Sequence, residues 1–261
     1  MKSLIVIKGG GDLATGIAHR LYRSKFNVVI TEIDQPTVIR QTVAFAQAIF
    51  SGQVTVEGVT AQRTVLSEVT SLLERGVIPV LIDPQAHCLA ELQPQGLVDA
   101  IIAKKNTGTQ LKDAPVVVGI GPGFTAGADV HAVVETARGH HLGRVYYQGS
   151  AQENTGIPGE IGGYTIERLV RAPGRGLLSG CAIIGSQVSA GDTIAMVDDR
   201  AVFAPISGML RGMLQDGLFV HDGMKIGDID PRGEQEHCFT ISDKARSIGG
   251  GVLEALLHFS G

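Results

Sequence analysis

The sequence predicts an α/β protein: a doubly wound parallel sheet, then a small all-β domain, then a C-terminal helix that returns to the first domain. Three observations carry this expectation. Short runs rich in Val and Ile alternate with helical periods through about residue 148. A cluster of Gly, Asn and Pro at 149–163 breaks that rhythm. Beyond it, brief apolar runs are separated by Gly and Asp turns. The resulting boundaries are 1–148, 165–232 and 233–261.

Taken in order, "LIVIK" (4–8) reads as a buried strand and residues 14–24 as a helix. "NVVITEI" (27–33) reads as a second strand and "IRQTVAFAQAIF" (39–50) as a second helix. The series continues through "QVTVEGV", the helix "LSEVTSLLERG", and the strands "VIPVLID", "LVDAIIA" (97–103) and "APVVVGI" (114–120). Apolar strands flanked by helices fit a parallel sheet covered on both faces. "RLVRAP", "CAIIGSQVSAGDTIAMV", "AVFAPISGMLRGML" and "GLFVHDGMKIGDI" supply the β domain. "SDKARSIGGGVLEALLHF" (242–259) opens on Ser242 as an N-cap, and Gly249 to Gly251 permit close packing on the first domain.

Composition narrows the function. The 261 residues include 35 Gly and no Trp, which favours turn-rich architecture over a helix bundle. A net charge of −4 argues against a nucleic-acid binder, which needs a surplus of Lys and Arg to displace counterions. Cys88, Cys181 and Cys238 are far apart and form no CxxC, so three reduced thiols are expected. The first apolar run is too short for a signal peptide and no segment reaches spanning length, so a cytoplasmic protein without membrane contact is expected.

The turn "KGGGDLATG" raises the first chemical question. Gly9, Gly11 and Ala14 match G-x-G-x-x-A between a strand and a helix, the setting of a Rossmann-like dinucleotide loop that includes Gly10. Glu32, ending the second strand, stands where a ribose hydroxyl would be accepted. Asp12 opposes a pyrophosphate unless it caps the helix or holds a metal. The competing reading is a tight bend with no ligand.

Ligands of open parallel sheets lie beyond the carboxyl ends of the strands. Lys104, Lys105 and Asn106 follow "VDAIIA", and Gly121 and Gly123 of "GPGF" offer backbone amides for an anion nest. Arg138, His140, His141 and Arg144 lie in one short span. Adjacent histidines on a strand face opposite sides, so no metal centre is expected. No G-x-S-x-G, H-E-x-x-H or Walker motif occurs.

In the β domain, "VSAGDTIAMV" and the later "GMKIGDID" resemble the paired half-motifs of a biotinyl/lipoyl-type barrel-sandwich domain. The hairpin that carries the modified lysine in such carriers here holds Asp198, Asp199 and Arg200, and Lys225 falls elsewhere in the repeat. An interaction module or lid is expected rather than a swinging arm.

Across the whole chain, "KGGGDLATGIAHRL", "VITEIDQPTVIRQTVAFAQAIFSG", "VDAIIAKKNTGT", "GIGPGFTAGADVHAVVETARGHHLGRV" and "KARSIGGGVLEAL" resemble the selenium-dependent molybdenum hydroxylase accessory family. The first part is similar to the xanthine dehydrogenase accessory proteins. The resemblance implies a bacterial maturation role and a hydroxylase client as partner. It also implies that the N-terminal crevice takes an NAD-like nucleotide or molybdopterin, held by the glycine turn with Lys104, Lys105 and Arg138. It assigns no catalytic residue. An NAD-dependent oxidoreductase acting in cofactor maturation, with His131, His140 or His141 moving the proton, stays open. So do a non-catalytic scaffold, a homo-oligomer, and a sulfur- or selenium-handling role for Cys88.

Overall fold

The apolar runs become strands because their side chains are buried on both sheet faces. In a computed structural model, which describes residues 3–154, 156 and 159–259, the chain forms two units. One comprises Met1–Pro36, Ala44–Thr155 and Ile241–Gly261, the other Thr37–Val43 and Gly156–Thr240. Of the connection expected at 149–163, residues 155, 157 and 158 lie outside the described residues.

The first unit is built on a nine-stranded sheet. Its strands are β1 (Leu4–Lys8), β2 (Asn27–Glu32), β3 (Gln53–Val56), β4 (Val59–Thr64), β5 (Ile78–Ile82), β6 (Gly96–Asp99), β7 (Val116–Ile120), β8 (Ala132–Val134) and β9 (Val145–Tyr146). Their order is β3-β4-β5-β2-β1-β6-β7-β8-β9. The strands from β4 to β8 run parallel, while β3 and β9 close the two edges antiparallel.

This mixed sheet corrects the expected Rossmann-like, doubly wound fold. Double winding needs a helix over each crossover, and only α1 (Asp12–Arg23) has that length between strands. The other helices in this sequence interval are α2 (Ala48–Ser51), α3 (Val69–Glu74) and α4 (Leu89–Leu92). The helix expected over 39–50 is two 3₁₀ turns, Gln41–Val43 and Phe45–Gln47, followed by α2. The segment "QVTVEGV" enters a β3–β4 hairpin.

The last helix, α5 (Asp243–His258), begins at Ser242, whose Oγ accepts from the Ala245 amide at 3.2 Å. It crosses α1 on small residues. A Cβ on Gly16 would stand 2.6 Å from Ala245 Cβ and 2.8 Å from Ala245 O, and one on Gly249 would meet Gly16 O at 2.9 Å. Backbone contact of this kind leaves no room for a side chain on either face.

The second unit contains β10 (Leu169–Arg171), β11 (Gly176–Gly180), β12 (Gln187–Val188), β13 (Thr193–Val197), β14 (Arg200–Phe203), β15 (Gly208–Met213), β16 (Phe219–Val220) and β17 (Lys225–Asp230). These pair as two separate four-stranded antiparallel sheets, β10-β17-β15-β12 and β14-β13-β11-β16. Two sheets replace the expected barrel-sandwich, because the ladders of β15 and β17 never join those of β11 and β13. Among the described residues, no helix is long and apolar enough to cross a membrane.

The helix crossing gives a paired test. Gly16→Ala should lower unfolding stability by about 1–2 kcal/mol, because overpacking outweighs the helix-propensity gain. Gly250→Ala, where a Cβ meets nothing within 4 Å, should raise it by up to about 1 kcal/mol. Denaturant unfolding of both variants measures the difference.

Candidate functional site

The glycine turn is held from both sides by the protein's own backbone. Gly9, at φ +89°, donates to Thr31 O at 2.8 Å, and a Cβ there would lie 3.0 Å from Ala100 O. Gly10 accepts from the Ala46 amide at 2.8 Å, and its own Cβ would lie 2.9 Å from that nitrogen. Thr15 completes the clamp: its Oγ1 donates to Gly10 O at 3.3 Å and accepts from the Phe45 amide at 2.8 Å. Gly11 is the N-cap of α1 and Ala14 is buried in its first turn.

Glu32 serves the same turn. Its Oε1 accepts from the Gly10 amide at 2.8 Å and its Oε2 from the Ile33 amide at 2.9 Å. Burial raises its pKa, and the two amides oppose that shift. The nucleotide reading of this turn is therefore corrected. The amide meant for a pyrophosphate goes to Glu32, and the carboxylate meant for a ribose goes to Gly10 and Ile33.

The remaining expected residues fall along the same carboxyl edge. Lys104 and Lys105 are exposed, and their backbone nests against the 121–124 turn: a Cβ on Gly123, at φ +104°, would stand 2.5 Å from Lys105 Cα. Gly121 likewise leaves room for Thr136. Arg138 grips Asp243 with two hydrogen bonds of 2.7 and 2.8 Å. Asp12 opens α1 and sits near Lys244, whose ammonium pKa is lowered by burial and then by Arg138, against the pull of Asp12, Glu135 and Asp243.

Asn106 is a loop organiser. Its Oδ1 accepts from the Gly108 and Thr109 amides, both at 2.8 Å, and its Nδ2 donates to Thr109 O at 2.8 Å. This fixes Thr109 over the end of β1. There Lys8 Nζ donates to Thr109 Oγ1 at 2.8 Å, and Thr109 Oγ1 donates to Asp99 Oδ2 at 2.6 Å. Asp99 Oδ2 lies 3.6 Å from Lys8 Nζ. All three side chains are buried, and none was singled out by the motifs.

Lys8 lines a pocket of about 360 Å³ with Gln85, His87, Leu89, Thr107 and Asp113. Its wall contains one strained residue, Ala86, at a left-handed φ of 54° in the loop after β5; Ile102 and Lys104, at 59° and 63°, lie in the loop after β6. Beside the pocket, Asp83 accepts from the His87 and Cys88 amides at 3.0 and 2.8 Å. Burial raises the Asp83 pKa, but these amides outweigh it and hold the carboxyl below its ordinary value. Burial first, then the Asp83 hydrogen bond and charge, push the Cys88 thiol up to about 12. The thiolate that sulfur or selenium transfer requires is thereby suppressed. Among the described residues, no group of three or more His, Cys, Asp or Glu is placed to hold a metal ion.

No family model matches the chain. It is 56% identical over 255 residues to the uncharacterised protein YqeB of Escherichia coli K12, a match covering 97% of this chain and 47% of the relative. The chain thus spans about half the length of the curated relative it matches. Among solved structures it is similar to the ectoine utilisation protein EutE of Ruegeria pomeroyi, at 12% identity and TM-score 0.25 over 87% of this chain and 85% of that one. A succinylglutamate desuccinylase/aspartoacylase from Rhodobacter sphaeroides aligns at 13% identity and TM-score 0.27 over 87% and 85%. Likenesses this slight carry no argument about shared fold or chemistry.

The expected membership of the molybdenum hydroxylase accessory family is corrected by these findings. No family model matches, and the curated relative is uncharacterised. The maturation role and its oxidoreductase and scaffold variants rested on that resemblance and go with it.

The Cys88 environment sets a reactivity order. At pH 8, iodoacetamide should label the exposed Cys181 well before Cys88, and Asp83→Asn should accelerate Cys88 by roughly tenfold or more as one pKa-raising charge is removed. Peptide mass mapping over time reads both rates.

Proposed function

We propose that the first unit binds a compact organic carboxylate in the pocket floored by Lys8. One observation carries the reading: a buried ammonium whose hydrogen bond among the described residues goes to a neutral hydroxyl and whose nearest carboxylate oxygen is 3.6 Å away. An ammonium has three donors. Thr109 takes one, and the others are left for a ligand oxygen entering from the cavity that Lys8 lines.

The pocket volume suits a small metabolite rather than a dinucleotide. Left-handed Ala86 in the pocket wall supports the same reading, since strained non-glycine backbone concentrates where a loop must hold a ligand-facing shape.

Titration calorimetry with a panel of mono- and dicarboxylates tests the proposal. At least one should bind the wild type more tightly than about 1 mM, and Lys8→Met should weaken it by roughly tenfold or more, the worth of one charge-assisted hydrogen bond. Lys8→Arg should keep part of the affinity. Absence of binding to the folded wild type, or equal binding to a folded Lys8→Met variant, would refute it.

A further inference from the structure

The second unit carries a buried cation with no hydrogen bond among the described residues. Arg211 is nine-tenths buried on β15, and among the described residues its nearest acidic oxygen is Asp230 Oδ2, 3.7 Å from Nε. That Nε is buried and unpartnered. Guanidinium groups offer five donors, and one left dry inside a protein is costly.

The acids nearby are already engaged. Asp228 is in direct contact with Arg168 Nη1. Asp230 takes Arg232 through Nε at 2.9 Å and Nη2 at 2.6 Å, with the Arg232 amide at 3.1 Å. Arg211 is therefore a late claimant on a neutralised carboxylate.

Its placement is built by the strand. Pairing of β15 with β17 shifts register between Leu210 and Gly212, so Arg211 is the bulged residue. A bulge re-aims a side chain at the expense of one ladder position. Gly212 beside it admits the 39–40 segment, where a Cβ would lie 2.7 Å from Ile39 O. That segment brings Arg40, whose Nη2 donates to His237 O at 2.8 Å and Thr240 O at 3.1 Å. His237 adds a buried, unpartnered Nδ1, 3.9 Å from Asp230 Oδ2. Burial, and then the positive charge of Arg40, lower the pKa of Arg211.

We infer that Arg211, with Arg40 and His237, forms a binding site for a compact oxyanion, a phosphate or sulfate group, in the second unit. The planar fork of arginine matches such an oxyanion through paired N–H donors. The ligand satisfies Arg211 and offsets its repulsion with Arg40. This site is independent of the Lys8 pocket.

The test uses the full chain with inorganic phosphate, sulfate, a phosphate monoester and acetate. Phosphate or sulfate should bind more tightly than about 1 mM, raise the melting temperature and shift the amide resonances of residues 210–213 and 236–239. Preference for the monoester over inorganic phosphate would identify an organic phosphate as the ligand, and the reverse a free ion. Arg211→Gln should weaken binding by roughly tenfold or more, His237→Asn by less, and Lys8→Met not at all. Acetate binding equal to phosphate, no binding, or resonance shifts confined to other residues would overturn the site. The resonance map needs no variant, so it decides the matter even if Arg211→Gln fails to fold.

Discussion

Backbone packed directly on backbone at Gly9 and Gly10 organises the first unit. The loop after β6 reaches Gly9 through Ala100 and Ile101, while the segment before α2 reaches Gly10 through Ala46. Any side chain at either glycine would push one of these away. Because both segments are held, the end of β1 is fixed, and Lys8, the residue before the glycines, has a defined place beneath Thr109. The pocket is thus a consequence of the clamp and not of the glycine amides.

The same clamp explains what the sequence conceals. "LIVIK" followed by glycines and an amphipathic run is legible as strand, turn and α1, because each has its own local signal. Residues 39–50 mislead for a definite reason. Val43, Ala44, Phe45, Ala46, Ala48 and Ile49 are all buried, so apolar spacing reflects enclosure on every side rather than one face of a helix. Strand content in the second unit is legible from its Gly and Asp punctuation, whereas its division into two sheets depends on pairings between distant strands.

The site is less legible than the fold. Lys104 and Lys105 attract attention as adjacent cations, yet both are exposed. Lys8 is only the last residue of a buried strand in the sequence reading, and its partner Thr109 is 101 residues away. Asn106 stands in the sequence as a candidate ligand group, but its side chain is committed to its own loop. One clue lies in the residue type: Asn side chains commonly bond the backbone two residues on, as Asn106 does with Gly108. Arg211 had less signal still, since a register shift leaves no residue signature beyond the neighbouring Gly212.

The two buried cations differ in how the fold treats them. At an effective dielectric near 20, a charge pair at the Lys8–Asp99 separation is worth about 5 kcal/mol, comparable to the several kcal/mol lost per ion on leaving water. The Thr109 hydroxyl between them adds to that balance, because it accepts one Lys8 donor and donates to Asp99 without neutralising either. Arg211 stands at nearly the same distance from Asp230, but Arg232 has already met that carboxylate with two shorter bonds. Its share of the attraction is correspondingly smaller while its desolvation is not. A hydroxyl relay therefore lets the first unit keep a cation ready without instability, whereas the second unit lacks such a relay at Arg211, and an incoming anion has the larger deficit to relieve there.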